Sequence, residues 1–329
     1  MPTSLITGGA GFIGSHLVQE LIIMNHKVIV LDDLSGGLER NIPREARFIN
    51  GSITDHQLLT NIFSDNKIDY IYHLAAYAAE GLSHYIKSYN YQNNVVGSVN
   101  LINKAVKHSV KCFVFTSSIA VYGNQASPMT EQMVPIPEDS YGIAKYTVEQ
   151  ELRISKEMFD LNYIIFRPHN VYGERQNISD KYRNVVGIFM NQLIKGEPLT
   201  VFGDGSQTRA FSYVRDVAPL IAQSVTHADW YEEIFNIGSD YAISVKDLAG
   251  LVMKAMEMSG AIKYLEQRNE VQHAYSSHEK IKKYLSHIES TKLEQGLKKM
   301  AEWAKKTSHQ PTIKMKHLEI TKNLPSFWK

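Results

Sequence analysis

The chain has 329 residues, 43% apolar and 21% charged, with a formal net charge of +1. These are the proportions of an ordinary globule, long for one core and sized for two lobes or one elaborated α/β domain. A charge so near zero supplies no global field for nucleic acid or an anionic membrane, so neither is expected as a partner.

In chain order, a short apolar run at Leu5-Ile6 reads as a first strand. It starts so near Met1 that no signal peptide is expected, and no apolar run approaches a membrane span, so a cytoplasmic location is expected. The run leads through Thr7-Gly8-Gly9-Ala10-Gly11-Phe12-Ile13-Gly14 into Ser15–Leu21, which has helical period. Strand, glycine turn and helix in that order are the context a dinucleotide fingerprint requires. Gly8 would make the tight turn, Gly11 would let backbone approach a pyrophosphate, and Gly14 would let the helix sit close on the sheet. Val28–Leu31 reads as a second buried strand ending in Asp32, at the distance where an acid holds the adenosine ribose hydroxyls. An acid there favours NAD, because a 2′-phosphate would want an Arg.

Asp33–Gly37 reads as a loop, Arg47–Gly51 as a third strand and its exit, and Asp55 as the cap of a helix to about Asn66. Tyr70–Leu74 is a fourth strand ending in Ala75-Ala76, small residues that would let a cofactor lie against backbone. A polar loop with Glu80, Ser83 and His84 leads to a long helix from about Tyr89 to His108. Lys111–Phe115 is a fifth strand, and its Cys112, the one cysteine of the chain, reads as a buried structural thiol in a reducing compartment. A proline-containing loop precedes a helix over Ser140–Phe159 and a sixth strand over Tyr163–Phe166. Such alternation predicts an α/β fold, a doubly wound parallel Rossmann sheet with ligand groups beyond the carboxyl ends of its strands.

From Arg167 the alternation loosens, and Asn170–Asp180 reads as polar and irregular. A helix is expected over Val186–Lys195, a strand and turn over Leu199–Ser206, and a strand over Ile234–Gly238. Ser244 reads as the cap of a helix to Met258, and Leu293–Lys305 as an amphipathic helix, whereas the tail up to Trp328 has no assignable pattern. The expected division is an NAD-binding Rossmann domain over 1–166, to which about 212–240 return, and a smaller C-terminal α/β substrate lobe over 167–211 and 241–329. The thirteen His are scattered without paired ligand spacing, so no metal is expected.

Tyr141 and Lys145, at i and i+4 near a helix start, share one face. A phenol ionises near pH ~10 and is a poor base at neutrality. An adjacent ammonium would stabilise the phenolate, and Lys145 could also bond the nicotinamide ribose. A Tyr/Lys pair at this spacing is by itself ordinary surface decoration. Here it follows a strand ending in Thr116-Ser117-Ser118, whose hydroxyls stand where a sugar oxygen could be held beside Tyr141.

Together these motifs resemble an extended short-chain dehydrogenase/reductase. The resemblance rests on the glycine turn, His73-Leu74-Ala75-Ala76, Ser117–Gly123 with Tyr141 and Lys145, Arg167–Gly173 and Gly203–Arg209. More narrowly the chain is similar to the NAD-dependent nucleotide-sugar epimerases of the UDP-glucose 4-epimerase type. That resemblance implies Ser118, Tyr141 and Lys145 as the catalytic set. It implies a cofactor site of Gly8, Gly11, Phe12, Ile13, Gly14, Asp32, Asp33, Ser52, Ile53, Leu74, Ala75, Ala76, Asn94 and Thr116, together with Tyr141 and Lys145. Asn170, Arg209 and Arg268 would join Ser118 and Tyr141 in holding a UDP-sugar, the arginines gripping its diphosphate. A homodimer through the helices starting near Tyr89 and Ser140 is also implied. Related 4,6-dehydratases and decarboxylases carry carboxylates after the active-site hydroxyl; here the residues are Ile119 and Ala120, which cannot move a proton. Glu80, in the loop after the fourth strand, is an alternative source of a carboxylate, and a non-catalytic NAD sensor is the reading least compatible with keeping Ser118, Tyr141 and Lys145 together. The chain departs from the pattern at Ser52, where an Asp is frequent, at Ala78, near a frequent Lys, and at Ala210, where Asp is usual. Ala274 matches a position where bulk restricts the sugar 2-substituent.

Overall fold

A computed structural model describes residues 1–180, 182, 184–267, 271–285, 290–307 and 318–325. Six strands follow in chain order: β1 (Thr3–Thr7), β2 (Lys27–Asp32), β3 (Arg47–Asn50), β4 (Tyr70–His73), β5 (Cys112–Thr116) and β6 (Tyr163–Pro168). With Ile234–Ile237 they form one seven-stranded sheet in the order Ile234–Ile237, β6, β5, β4, β1, β2, β3, every pair parallel. Apart from the edge strand β3, whose ends are exposed, the strands are short runs buried on both faces, as a parallel sheet covered by helices requires.

Strand period assigns the two faces. Leu5, Ile29, Leu31, Ile71, Phe113, Phe115 and Ile165 form one core with the helices His56–Asp65, Gly97–Lys107 and Ser140–Phe159. Their neighbours Ile6, Val28, Val30, Tyr72, Val114, Ile164 and Phe166 form the other, against the helix Phe12–Ile23 and the helix Val214–Gln223. The expected cap of the second helix is present, the Asp55 carboxylate accepting from Leu58 N at 2.9 Å. Ser244 likewise caps Val245–Met256, accepting from Asp247 N at 3.0 Å. Cys112 is fully buried, and burial pushes its thiol far up from the ordinary range.

Strand order reverses between β1 and β4, and a crevice opens there at their carboxyl ends. Beyond β6 the chain builds smaller pieces. Ala242–Ser244, Thr208–Ala210 and His273–Ala274 form a three-stranded sheet; Leu199–Phe202 pairs with Ile262–Leu265, and Val171–Tyr172 with Ser212–Tyr213. Asn170–Asp180 is therefore not wholly irregular, since Val171 and Tyr172 are buried and find a strand partner about forty residues on. The long helix expected near Tyr89 starts at Lys87 and carries a π turn at Gln92–Val96 before continuing to Lys107. Among the described residues no helix is long and apolar enough to cross a membrane.

Candidate active site

A single cleft of about 1910 Å³ runs across the carboxyl edge of the sheet. That exceeds the roughly 300–1,000 Å³ of a one-ligand pocket and leaves room for two large ligands. At one end the glycine turn lies over the strand switch. Gly8 takes φ +74°, and a Cβ there would stand 2.7 Å from Ala75 N. A Cβ on Gly14 would stand 2.1 Å from Gly8 O, so the close approach that needs a glycine is between turn and helix rather than helix and sheet. Phe12 and Ile13, which open the helix, line the same end.

Asp32, at the tip of β2, is buried and spends its carboxylate on the turn: Oδ2 accepts from Ala10 N at 2.9 Å and Oδ1 from Leu34 N at 2.8 Å. Burial pushes the Asp32 carboxyl above its usual value, against the pull of those amides. Asp33 is exposed and fixes its own loop by accepting from Ser35 N at 2.9 Å. Ser52 makes a local turn with Thr54, and Ile53 packs where a Cβ on Gly97 would meet it at 2.6 Å. Asp33, Ser52, Ile53, Leu74, Ala75 and Ala76 all line the cleft.

Behind Ala75 runs a buried chain: Thr7 Oγ1 lies 2.6 Å from His73 Nδ1, and His73 Nε2 2.8 Å from Ser98 Oγ, which donates to Asn94 O. Burial lowers His73 to about 3, so the ring stays neutral. Asn94, expected in the cofactor set, stands one layer back from the cleft. It does not line the cleft; its amide accepts from Tyr77 N at 2.8 Å and donates to Tyr77 O and to Asn90 Oδ1. Asn94 lies within the π turn and braces the backbone just after Ala76.

The other end carries the hydroxyls. Ser118 follows β5, and its Oγ accepts from Ala120 N at 3.1 Å. Tyr141 sits in the first turn of Ser140–Phe159, a helix capped by Asp139, whose Oδ1 accepts from Gly142 N at 2.8 Å. Tyr141 is 8% exposed and Lys145 3%, and both line the cleft with Ser118 and Thr116. Lys145 Nζ donates to Thr116 O at 2.8 Å and stands 5.7 Å from the centre of the Tyr141 ring. Its charge therefore acts on the phenol through space. Burial lowers the Lys145 ammonium to about 7, and the Glu149 carboxylate one turn on pulls the other way.

Glu149 was not singled out in the sequence. It is buried beneath Lys145 and holds Arg167 Nε at 2.9 Å, Arg167 Nη2 at 2.5 Å and the Ser117 hydroxyl at 2.5 Å. Arg167 Nη1 reaches Tyr122 OH at 2.8 Å, which donates to Asn236 Oδ1. The i+4 step from Lys145 to Glu149 was the available clue, because it puts both on one helix face.

Of the groups expected to hold a substrate, Asn170 and Arg209 line the cleft. Asn170 takes φ +38° and donates to Ala210 O at 3.2 Å. Arg209 gives Nη1 to Thr208 O and Gln272 O and Nη2 to Val271 O, clamping the strand that carries Ala274. Arg268 lies outside the described residues.

The model of the NAD-dependent epimerase/dehydratase family matches residues 4–238. The UDP-glucose 4-epimerase of Haemophilus influenzae is 31% identical over 333 residues, covering 92% of this chain and 97% of that protein. The structure of UDP-glucose 4-epimerase with UDP-glucose from Thermotoga maritima is similar with a TM-score of 0.89 at 35% identity, covering 93% of this chain and all of that one. The Thermus thermophilus UDP-glucose 4-epimerase complex with NAD gives a TM-score of 0.86 at 26% identity, covering 92% and 99%. The chain belongs to the NAD-dependent epimerase/dehydratase family, within the extended short-chain dehydrogenases/reductases. It is an NAD-dependent enzyme of epimerase type. Its own residues fit that cofactor: a cradle that a Cβ on Gly8 or Gly14 would fill, an acid at the end of β2, and Thr116 Oγ1, buried with no hydrogen-bond partner among the described residues.

Proposed function

We propose that the chain is a UDP-sugar 4-epimerase that interconverts UDP-glucose and UDP-galactose through a transient 4-keto sugar. One observation carries the reading: Ser118 and Tyr141 share a cleft with the glycine turn and Asp32, while Ile119 and Ala120 offer no carboxylate after Ser118. Bound NAD would accept a hydride from C4 of the sugar and return it. Gly8, Gly11 and Gly14 would admit its diphosphate at the helix N-terminus, Asp32 would hold the adenosine ribose, and Lys145 the nicotinamide ribose. Tyr141 takes the proton of the 4-hydroxyl as phenolate, and the Lys145 ammonium favours that charge. Ser118 holds the same oxygen. Asn170, Arg209 and Arg268 would hold the nucleotide far from C4, so the keto sugar can turn over and present its other face. In this reading β1 to β6 with Ile234–Ile237 make the cofactor domain, and the small sheets after Arg167 the substrate lobe. Apolar side chains exposed on the helices near the site, among them Val96, Ile143 and Ile154, support a homodimer through those helices; a cytoplasmic location completes the proposal.

Incubation with UDP-glucose and no added cofactor, followed by proton NMR, tests it. A new galacto-configured anomeric signal is expected. A 6-deoxy methyl signal would instead establish a 4,6-dehydratase, for which Glu80, also on the cleft wall, would be the carboxylate to examine. The Ala274 methyl lines the cleft, and in this reading so small a side chain would admit a 2-acetamido group. UDP-N-acetylglucosamine should also turn over, and Ala274→Tyr should abolish that while sparing UDP-glucose; retained turnover of the acetamido sugar would show that Ala274 does not set the limit.

A further inference from the structure

Residues 318–325, which lie beyond the part of the chain that the family model matches, pack against the stretch joining β4 to the long helix. Glu319 N and Ile320 N donate to Tyr85 O at 2.9 and 3.1 Å. The Glu319 carboxylate accepts from Ser88 N and Tyr89 N, each at 2.8 Å. Those amides are in the first turn after Ile86, where a helix has no internal acceptors, and a carboxylate is the cap its dipole favours. Tyr85 OH donates to Asn323 O at 2.8 Å. Residues 318–323 are exposed, yet Leu324 is only 7% exposed, filling a cluster with Ala79, Leu82 and Ile86. Tyr182, from beyond β6, packs on the same cluster.

The wall so held also grips the chemistry. Ser83 Oγ lies 3.4 Å from Asp139 Oδ1, and Asn90 Nδ2 donates to Ser140 O at 2.8 Å, both at the first turn of the helix carrying Tyr141. Asn323 and Pro325 line the cleft themselves. These contacts end at the residues just before Tyr141, which places the tail's wall with the Tyr141 part of the cleft. We propose that residues 318–325 form a wall of the sugar end of the cleft, with Glu319 and Leu324 as positioning residues that set affinity for the sugar nucleotide. The ligand named here rests on the UDP-sugar reading above.

The test uses the full chain with Glu319→Ala, Glu319→Gln and Leu324→Ser, changes on a tail outside the two main cores. For UDP-glucose, KM should rise about tenfold in Glu319→Ala and Leu324→Ser, with kcat changed about twofold at most and retained NAD unchanged. Glu319→Gln, which keeps one acceptor oxygen, should fall between. Amide exchange should quicken over residues 77–91 and stay unchanged in the strands. Faster exchange with an unchanged KM would reduce the tail to a structural clasp, and no change in either would overturn the proposal. Calorimetry of UDP-glucose binding to the unaltered chain separates the two readings: no binding there overturns the UDP-sugar reading and this one with it, whereas equal binding by parent and variants overturns the wall alone.

Discussion

At the scale of single residues, the account turns on a cation buried next to a phenol. Desolvation costs Lys145 charge, and the position is tolerable because Thr116 O accepts from it and Glu149 lies one turn away. An ammonium held near 7 is poised to be charged on the acidic side and to share its proton near neutrality. Lys145→Met removes the positive field, so the acidic limb of the rate–pH profile should move to higher pH. The rate at pH 7 should fall by about 10²–10⁴, the range associated with general acid–base groups. An unmoved limb would show that Lys145 does not support the base. Glu149 and Arg167 were illegible as a pair in the sequence for a physical reason: they sit on a helix and a strand and meet only when the sheet forms. Arg209 was legible as a cleft residue, but its use of backbone carbonyls at 271 and 272 depends on strand pairing that no local pattern reveals.

At the scale of elements, two short segments do most to place the groups. The glycine turn is tight because Gly8 O occupies the space that a side chain at position 14 would need. Gly14→Ala should therefore cost bound NAD first and stability second, read as cofactor absorbance in the purified protein and as Tm; full NAD occupancy would contradict the close approach. The helix Ser140–Phe159 starts where it does because Asp139 caps it. Asp139→Ala should lower stability by about 1 kcal/mol, while Asp139→Asn, which caps equally well, should be near neutral; equal losses in urea unfolding would place the effect elsewhere. Strands β1, β2, β4, β5 and β6 were readable because their apolar runs are continuous, and the caps at Asp55 and Ser244 because capping is local. The helix Val214–Gln223, which packs on Phe12–Ile23, was masked by Pro219 in its interior. The π turn at Asn94 was hidden because the Tyr77 backbone groups that the Asn94 side chain bonds lie 17 residues away.

At the scale of the whole molecule, three imidazoles are folded into the interior uncharged. Burial holds His16 at about 4 and His73 and His169 at about 3, whereas in the unfolded chain each titrates near 6.5. Between those limits the unfolded chain binds up to about three more protons, so the stability these three groups contribute is full above about pH 6.5 and is lost as pH falls. The imidazole slope near pH 5 is on the order of 4 kcal/mol per pH unit, and the buried carboxyls Asp32 and Asp139, which burial pushes up, act against it. Urea midpoints should fall markedly from pH 7 to pH 5, and a flat profile would contradict the neutral interior. The parallel sheet and its switch-point cleft were legible from alternation and one glycine turn, whereas the tail was not, since Glu319 finds Ser88 231 residues back. The most direct test of the central claim is to supply UDP-glucose deuterated at C4, in ordinary water and without added cofactor. Return of hydride within one site predicts UDP-galactose that keeps its deuterium at C4. Loss of that label to solvent would contradict the mechanism.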